Sequence, residues 1–318
     1  MPDPNPNNLA KRGLSSREVA DLTSDLTPGR FSKLRSEDNK QFAQDLLSHD
    51  QIVETPKSLD TSLNPEAPEN ISGILECNQK IYDFLGLTNP DGTKIDLDQE
   101  LSSDNILFPT PEQQEQAEEL GYTLALILPG KLDRQTVLNT ITQKYASEFS
   151  KPNDPSMGLK LFSPADKDLN ATVSVLSKQT PNPVRPNSFY LIYLKPDLNC
   201  QTAHPETTGK SAQDCQKELD KLKQQNPDLN LKGLTLEEYL LLDIYHYTTT
   251  QQHLDSSTWS WLLEDTFNDP NTNQLMRCLY SCWALVDRWL NVGSDSVSYA
   301  GSGGGARFAC LPKPEGQR

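Results

Sequence analysis

The chain has 318 residues, 35% of them hydrophobic, with 23 prolines and a formal net charge of −15. No apolar run approaches the ~20 residues that a transmembrane helix needs, so membrane insertion is not expected. The acidic charge argues against a general nucleic-acid binder, which needs a basic face for phosphates. The first residues, MPDPNPNNLAKRG, contain no apolar stretch typical of a secretory signal. The sequence therefore does not decide the localisation. It is compatible with synthesis in the cytoplasm and with display at a surface by a route that needs no secretory signal.

The composition is uneven along the chain. Residues 1–70 contain 19 apolar residues and seven prolines, too few apolar side chains to offset the entropy of ordering the segment. We therefore expect a disordered or flexible arm there. By contrast, 19 of the 35 residues at 277–311 are apolar, and their formal charge is +1. All four tryptophans lie between Trp259 and Trp289, so the core is expected toward the C-terminus.

The first predicted elements are helices. Apolar residues at helical spacing over 71–88 predict a helix that Gly86 and Pro90 end. We assign 71–110 to a short helical linker. Thr110 followed by a proline is a good N-cap, and it predicts a second helix that runs to about Leu120.

Strands and helices then alternate. The apolar stretch at 122–130 ends in Pro-Gly and predicts a buried strand, and 132–149 predicts a helix. Further strands are predicted at 159–163 and 188–195, and a lysine- and glutamine-rich helix near 211–225.

The C-terminal third changes character. Thr235 and Glu238 form a capping box that opens a long helix to about Thr249. Short aromatic and β-branched runs from Trp259 onward predict strands, and the glycines at 301–305 predict a flexible turn into the last strand. The predicted class is α+β, with two helices flanking a mostly antiparallel sheet.

No motif predicts a metal or a cofactor. Cys200, His204 and Cys215 lack a fourth ligand for zinc, and the oxygen-bearing residues at 265–273 do not have EF-hand spacing.

A nucleophilic enzyme is not favoured either. The sequence has no G-x-S-x-G elbow. A reactive Cys278, Cys282 or Cys310 is an open alternative, although buried thiols in strands are the preferred interpretation.

Four pieces of sequence occur in an order typical of one protein family. They are ELGYTLALILP from Glu119, NSFYLIYLKP from Asn187, GLTLEEYL from Gly233, and HLD…TWSWL from His253, followed by GARFA at 305–309. The chain thus resembles the variable proteins of diversity-generating retroelements from small-genome bacteria and their phages. The resemblance implies a C-type-lectin fold, of the formylglycine-generating-enzyme subtype, over residues 111–312, with 313–318 as a tail.

The resemblance also implies a diversified C-terminus. In such systems an error-prone reverse transcriptase randomises adenines, so Asn codons become NNY codons that cannot encode Lys, Glu, Gln, Met or Trp. Lys, Glu and Gln occupy 57 of the 318 positions, yet none of the three, and no Met, occurs in 277–311. This gap supports a variable region at 277–311.

Within that region the resemblance and strand periodicity divide the residues into two groups. The scaffold is expected to contain Trp283, Trp289, Arg307 and Phe308 together with Trp259 and Trp261 upstream of the region, with Arg307 paired to an upstream carboxylate. The exposed, ligand-binding set is rich in Tyr, Ser, Asn and Asp, as antibody paratopes are. Its expected members are Tyr280, Ser281, Leu285, Asp287, Asn291, Ser294, Asp295, Ser298 and Tyr299.

The sequence therefore predicts a ligand-binding display protein rather than an enzyme, with an unknown protein or other macromolecule as its partner. A monomer is favoured. Two alternatives stay open. One is an oxidase of the formylglycine-generating type, and the other is an assembly protein with an invariant lectin-like domain.

Overall fold

A computed structural model of the chain describes residues 71–103, 105–149, 159–161, 186–268, 276–284 and 289–312. The predicted arm 1–70 and tail 313–318 lie outside the described residues, as do Leu285 and Asp287 of the predicted surface. Trp289 lies in a described strand, but its side chain is outside the description. The described residues all belong to one compact unit, Asn64–Arg318.

The five predicted helices occur in the predicted order, and the two short helices at 97–102 and 200–203 were not predicted. In chain order, the described helices are α1 (Ile71–Leu85), α2 (Leu97–Ser102), α3 (Pro111–Glu119), α4 (Arg134–Phe149), α5 (Cys200–Ala203), α6 (Ala212–Gln225) and α7 (Leu236–Thr250), with a 3₁₀ turn at Pro205–Thr207. The capping box of Thr235 and Glu238 at α7 is confirmed, and Thr110 forms a second one with Gln113 at α3. No helix in the described ranges is both long and apolar enough to cross a membrane.

The strands form two five-stranded sheets. They are β1 (Ile106–Leu107), β2 (Leu124–Pro129), β3 (Leu159–Leu161), β4 (Phe189–Leu194), β5 (Asn230–Gly233), β6 (Trp259–Asn268), β7 (Met276–Ala284), β8 (Trp289–Ser296), β9 (Gly304–Ala306) and β10 (Phe308–Leu311). In sheet I, β4 pairs antiparallel with β2 and β10 and parallel with β1, and β10 continues antiparallel to β5.

Sheet II has the order β3-β8-β7-β6-β9. Its three long strands, β6, β7 and β8, are antiparallel, while the short edge strands β3 and β9 run parallel to their neighbours. The predicted α+β class is confirmed. The expectation of a single sheet is wrong, because the chain leaves sheet II after β9 and returns to sheet I as β10.

Helix α1 covers the edge of β2. The buried Asn78 side chain donates to the carbonyl of Ala125 (3.1 Å) and accepts from the N–H of Ile127 (2.8 Å). The Tyr82 hydroxyl donates to the Ile127 carbonyl at 2.9 Å. These side chains satisfy backbone groups that a further strand would otherwise bind. Residues 71–110 are therefore packed into the same unit as 111–312, and no boundary at 110 separates them.

We predict that Asn78→Ala lowers the free energy of unfolding by about 2–4 kcal/mol, because it leaves two buried backbone groups unpaired. Urea unfolding of the full chain, followed by circular dichroism, measures the change. Asn139→Ala is the matched control, since Asn139 is also a helical asparagine bound by one side chain but lies exposed on α4. The control should change stability by less than about 0.5 kcal/mol. Equal effects of the two substitutions would contradict the proposed edge role.

Candidate ligand-binding surface

The middle strand of sheet II does not present the residues expected of it. Four consecutive residues of β7, Cys278–Ser281, are buried, so both faces of this strand are covered. Tyr280 lies beneath Gly293, where an added Cβ would come within 2.5 Å of the Tyr280 ring. The Ser281 hydroxyl donates to the carbonyl of Asn291, which is itself buried. The prediction that Tyr280, Ser281 and Asn291 are exposed is therefore wrong.

The end of β8 and the loop that follows it are accessible to solvent. Of the predicted surface residues described here, Ser294, Asp295 and Tyr299 are partly exposed and Ser298 is exposed. The Ser298 hydroxyl lies 2.9 Å from that of Ser296, which is also partly exposed. We call residues 294–303 the polar loop surface. It offers hydroxyl groups, one carboxylate and one aromatic ring.

An arginine braces the start of this surface. Arg277 of β7 donates through Nε to the Ser294 hydroxyl at 3.1 Å and through Nη2 to the Ser294 carbonyl at 2.6 Å. Asp295 accepts from the N–H of Ser296 at 2.7 Å. The backbone of the surface is thus held by hydrogen bonds at its first three residues.

Glycines at 301, 303 and 304 lie against the indole of Trp259. An added Cβ would approach this ring to 2.4 Å at Gly304 and 3.0 Å at Gly301, which is too close for the ring to stay in place, and to 3.4 Å, an ordinary contact, at Gly303. None of these glycines adopts a positive φ, so the need is for space rather than for backbone freedom. The ring of Tyr299 stacks on Trp259 with 6.3 Å between centroids.

The loop is also fixed by backbone hydrogen bonds. The N–H of Trp259 donates to the carbonyl of Gly303 at 3.1 Å, and Gly209 donates to Gly304 at 2.8 Å. The Gln201 side chain donates to the Ser302 carbonyl at 2.9 Å. The sequence predicted a flexible turn at 301–305, and the structure shows a packed, hydrogen-bonded one instead.

Beneath the loop lies a buried ion pair. Arg307 connects β9 to β10, and its Nη2 lies 3.1 Å from Asp255 Oδ1. Both side chains are almost fully buried. The same guanidinium donates to the carbonyls of Asp197 (2.7 Å) and Leu198 (2.8 Å). The sequence-based expectation that Arg307 pairs with an upstream carboxylate is confirmed, and Asp255 is its partner.

Asp255 accepts hydrogen bonds from several elements. They come from the Cys200 N–H and from the hydroxyls of Tyr239, Thr258 and Ser260. Burial alone would raise the pKa of Asp255, but the Arg307 charge and these hydrogen bonds outweigh burial and hold the pKa below its usual value. The carboxylate thus stays ionised and ties α7 and β6 to the end of sheet II.

A second buried charge cluster fixes the helices against β6. Arg134 of α4 donates to Glu237 at 2.6 Å and to both oxygens of Asp265 at 2.6 and 2.8 Å. Asp265 also accepts from the N–H of Leu236 at the start of α7. Asp265 was considered at the sequence level as an oxygen ligand, and the structure shows it in this ion pair.

The described scaffold residues are buried as expected. The Trp261 indole donates to the Lys210 carbonyl at 3.1 Å. Trp283 stacks on His253, with 3.4 Å between ring centroids, and His253 Nδ1 lies 2.8 Å from Asp243. The ring of Phe308 packs 4.4 Å from that of His204.

Sequence reasoning missed Asp255, Asp243 and His204 as organising residues. Two signals were available. Asp255 belongs to the quoted HLD motif, and charged or polar residues within an otherwise apolar domain need buried partners.

The six cysteines are all free. Burial raises the pKa of Cys282 to about 12 and that of Cys278 well above its usual value. Because the thiolate is the nucleophile, both groups are poorly suited to attack at neutral pH. Within the described ranges no group of three or more His, Cys, Asp or Glu side chains is placed to hold a metal ion.

Comparison with known proteins does not identify the chain. No protein family, no curated protein sequence and no solved structure matches it.

We predict that Asp255→Asn lowers the free energy of unfolding by about 3–5 kcal/mol, because Arg307 keeps its charge in a buried site without a counter-charge. The double variant Asp255→Asn/Arg307→Met should lose less than the sum of the two single changes. Lys217→Ala removes the exposed bridge to Asp214 and serves as the control, with an expected loss below about 1 kcal/mol.

The loss of unfolding free energy in Asp255→Asn should also depend on pH. The pKa of Asp255 is lowered in the folded protein, so its contribution is present above the ordinary value of 3.8 and is lost as pH falls through the folded pKa. Urea unfolding at several pH values checks this. The difference between wild type and Asp255→Asn should narrow at acid pH, and a constant difference would contradict the ion-pair account.

Proposed function

We propose that the protein is a ligand-binding protein and that the polar loop surface, residues 294–303, is part of its binding site. One observation carries the proposal. Solvent-accessible hydroxyl, carboxylate and aromatic groups lie on a backbone that Trp259, Arg277 and the buried Asp255–Arg307 pair hold in place. A rigid loop loses little entropy on binding, which favours affinity.

The chemistry of the surface suits a macromolecular partner. Tyr299 supplies a large, partly exposed ring with few rotatable bonds, and Ser294 and Ser298 supply adaptable hydrogen-bonding groups. This combination is typical of antibody paratopes. The proposed partner is a protein or another macromolecule. We expect the unbound chain to be a monomer, and stable multimers in size-exclusion chromatography with light scattering would favour an assembly role instead.

We further propose that the domain has a C-type-lectin-like fold of the formylglycine-generating-enzyme subtype, with a variable region at 277–311. Support comes from the quoted motifs and from the absence of Lys, Glu, Gln and Met in that window. The burial pattern narrows the expected variation. Substitution at Tyr280, Ser281 or Asn291 would disturb buried packing, whereas Ser294, Asp295, Ser298 and Tyr299 are accessible positions at which substitution should cost less stability.

Sequencing the locus across a population tests the diversification. We expect variation to be concentrated within 277–311 and, among the described residues there, at the accessible ones. Trp259, Arg307 and Gly304 should stay constant because each has a packing role that other residues cannot fill. Variation spread evenly over 111–312, or missing from the window, would overturn the proposal.

Thiol labelling of the folded protein separates the binding protein from an oxidase. Cys278 is buried, and it should react with a disulfide reagent at least ~100-fold more slowly than the partly exposed Cys77. Cys282 is also partly exposed, but its pKa of about 12 should keep its reaction slow. All six thiols should react in urea, which controls for reagent quality. A Cys278, Cys282 or Cys310 that reacts rapidly in the folded protein would favour the enzyme.

A further inference from the structure

One chain segment forms hydrogen bonds to the strand that directly follows the polar loop surface. Residues 204–209, which we call the edge segment, lie beside β9 and the start of β10. Gly209 N–H donates to the Gly304 carbonyl at 2.8 Å, and the Thr207 hydroxyl accepts from the Ala306 N–H at 2.9 Å. The edge segment thus takes the place of a neighbouring strand.

The third bond of this edge is made by a histidine. His204 is 1% exposed, and its Nε2 accepts from the backbone N–H of Phe308 at 3.3 Å. An imidazole nitrogen that accepts a backbone N–H carries no proton, so the proton of neutral His204 is on Nδ1. Nδ1 then donates to Glu206 Oε1 at 3.0 Å. The geometry therefore requires the neutral form of His204.

We propose that His204 is an acid-sensitive hydrogen-bond acceptor that holds the edge segment to β10, and that its protonation releases residues 304–308 and with them the polar loop surface. A proton on Nε2 would point at the Phe308 N–H, and two donors facing each other repel. Release of the polar loop surface would weaken ligand binding at acid pH. That consequence rests on the proposed function, whereas the release of the edge does not.

The groups around His204 determine the pH at which its imidazole becomes protonated. Burial is the main cause that lowers the pKa of His204, and the positive charges of Lys195 and Arg307 lower it further, against the opposing effect of Glu206. The ring of Tyr122 packs on the remaining side, 5.8 Å from the imidazole. Neutral His204 therefore stabilises the fold fully above the ordinary value of 6.5, and this stabilisation is lost as pH falls through the lowered pKa.

Thr207 provides a matched comparison within the same edge. Its hydroxyl bonds to the backbone of Ala306 on β9, as the His204 ring bonds to the backbone of Phe308 on β10. The hydroxyl does not titrate near neutral pH, so loss of its bond should weaken the edge equally at every pH. Only the His204 bond should depend on acid.

Hydrogen–deuterium exchange of the full chain, read by mass spectrometry between about pH 7.5 and about pH 5, tests the proposal. After correction for the intrinsic exchange rate, the protection of peptides over 304–308 should fall about tenfold on acidification. His204→Gln keeps an acceptor that does not titrate, so its protection should be independent of pH. Thr207→Val should lower protection by the same factor across the range.

Glu206→Gln tests the direction in which the pH of release should shift. It removes the anion that favours imidazolium, so release should require a lower pH than in the wild type. Measurements stay above about pH 5 so that His246, whose pKa burial lowers to about 3, stays neutral in the folded protein. His204→Gln retains His246 and so controls for its effect on overall stability.

Two outcomes would overturn the proposal. One is constant protection of 304–308 in the wild type, and the other is an equal acid-induced loss in His204→Gln. Should a variant fail to fold, ¹⁵N NMR of the wild-type imidazoles decides, since a proton on Nε2 of His204 at about pH 7.5 contradicts the geometry. No ligand is used, so failure of the switch and failure of the proposed binding function are distinguishable.

Discussion

The buried ion pair between Asp255 and Arg307 determines how the two sheets meet. Arg307 is the single residue between β9 of sheet II and β10 of sheet I. Its guanidinium is held by Asp255 and by two carbonyls of the chain that follows β4. A buried charge without a partner is strongly destabilising, so arrangements of these segments that separate the pair are disfavoured. The ion pair thus helps to position β9 and β10, which follow β8.

The polar loop surface is the direct consequence. Its C-terminal end is fixed by Arg307 and by the glycines on Trp259, and its N-terminal end by Arg277. Between these ends the side chains face solvent while the backbone stays bound. The same division appears in antibody paratopes, in which a constant framework carries loops of adaptable chemistry.

Side chains bond backbone groups of strands at two places in the structure, with different consequences. Asn78 bonds the edge of β2 through an amide, which does not titrate, so this edge is insensitive to pH. His204 bonds the start of β10 through an imidazole, a titratable group whose pKa is lowered by burial. In both places a side chain bonds the strand backbone. The chemistry of that side chain decides whether the bond depends on pH.

Local interactions were sufficient for much of the secondary structure. The capping residues Thr110 and Thr235 and the apolar strand that became β2 depend on neighbours within a few positions, and the sequence alone determined them. Only the tertiary structure decided that β6 pairs with a β7 in which residues 278–281 are covered on both faces. Tyr280 and Ser281 are adjacent and point to opposite faces of β7, so they could not both lie on one open face, and both are buried because both faces are covered.

Long-range contacts account for the other differences. The sequence indicated that Arg307 needs a carboxylate, but the partner lies 52 positions away and follows from packing. The glycines at 301–305 suggested a flexible turn. In the tertiary structure, those at 301, 303 and 304 pack against the ring of Trp259. The sequence determined which groups need partners and which segments form elements. The tertiary structure decided which partners meet, because burial brings together residues whose separation along the chain carries no local signal.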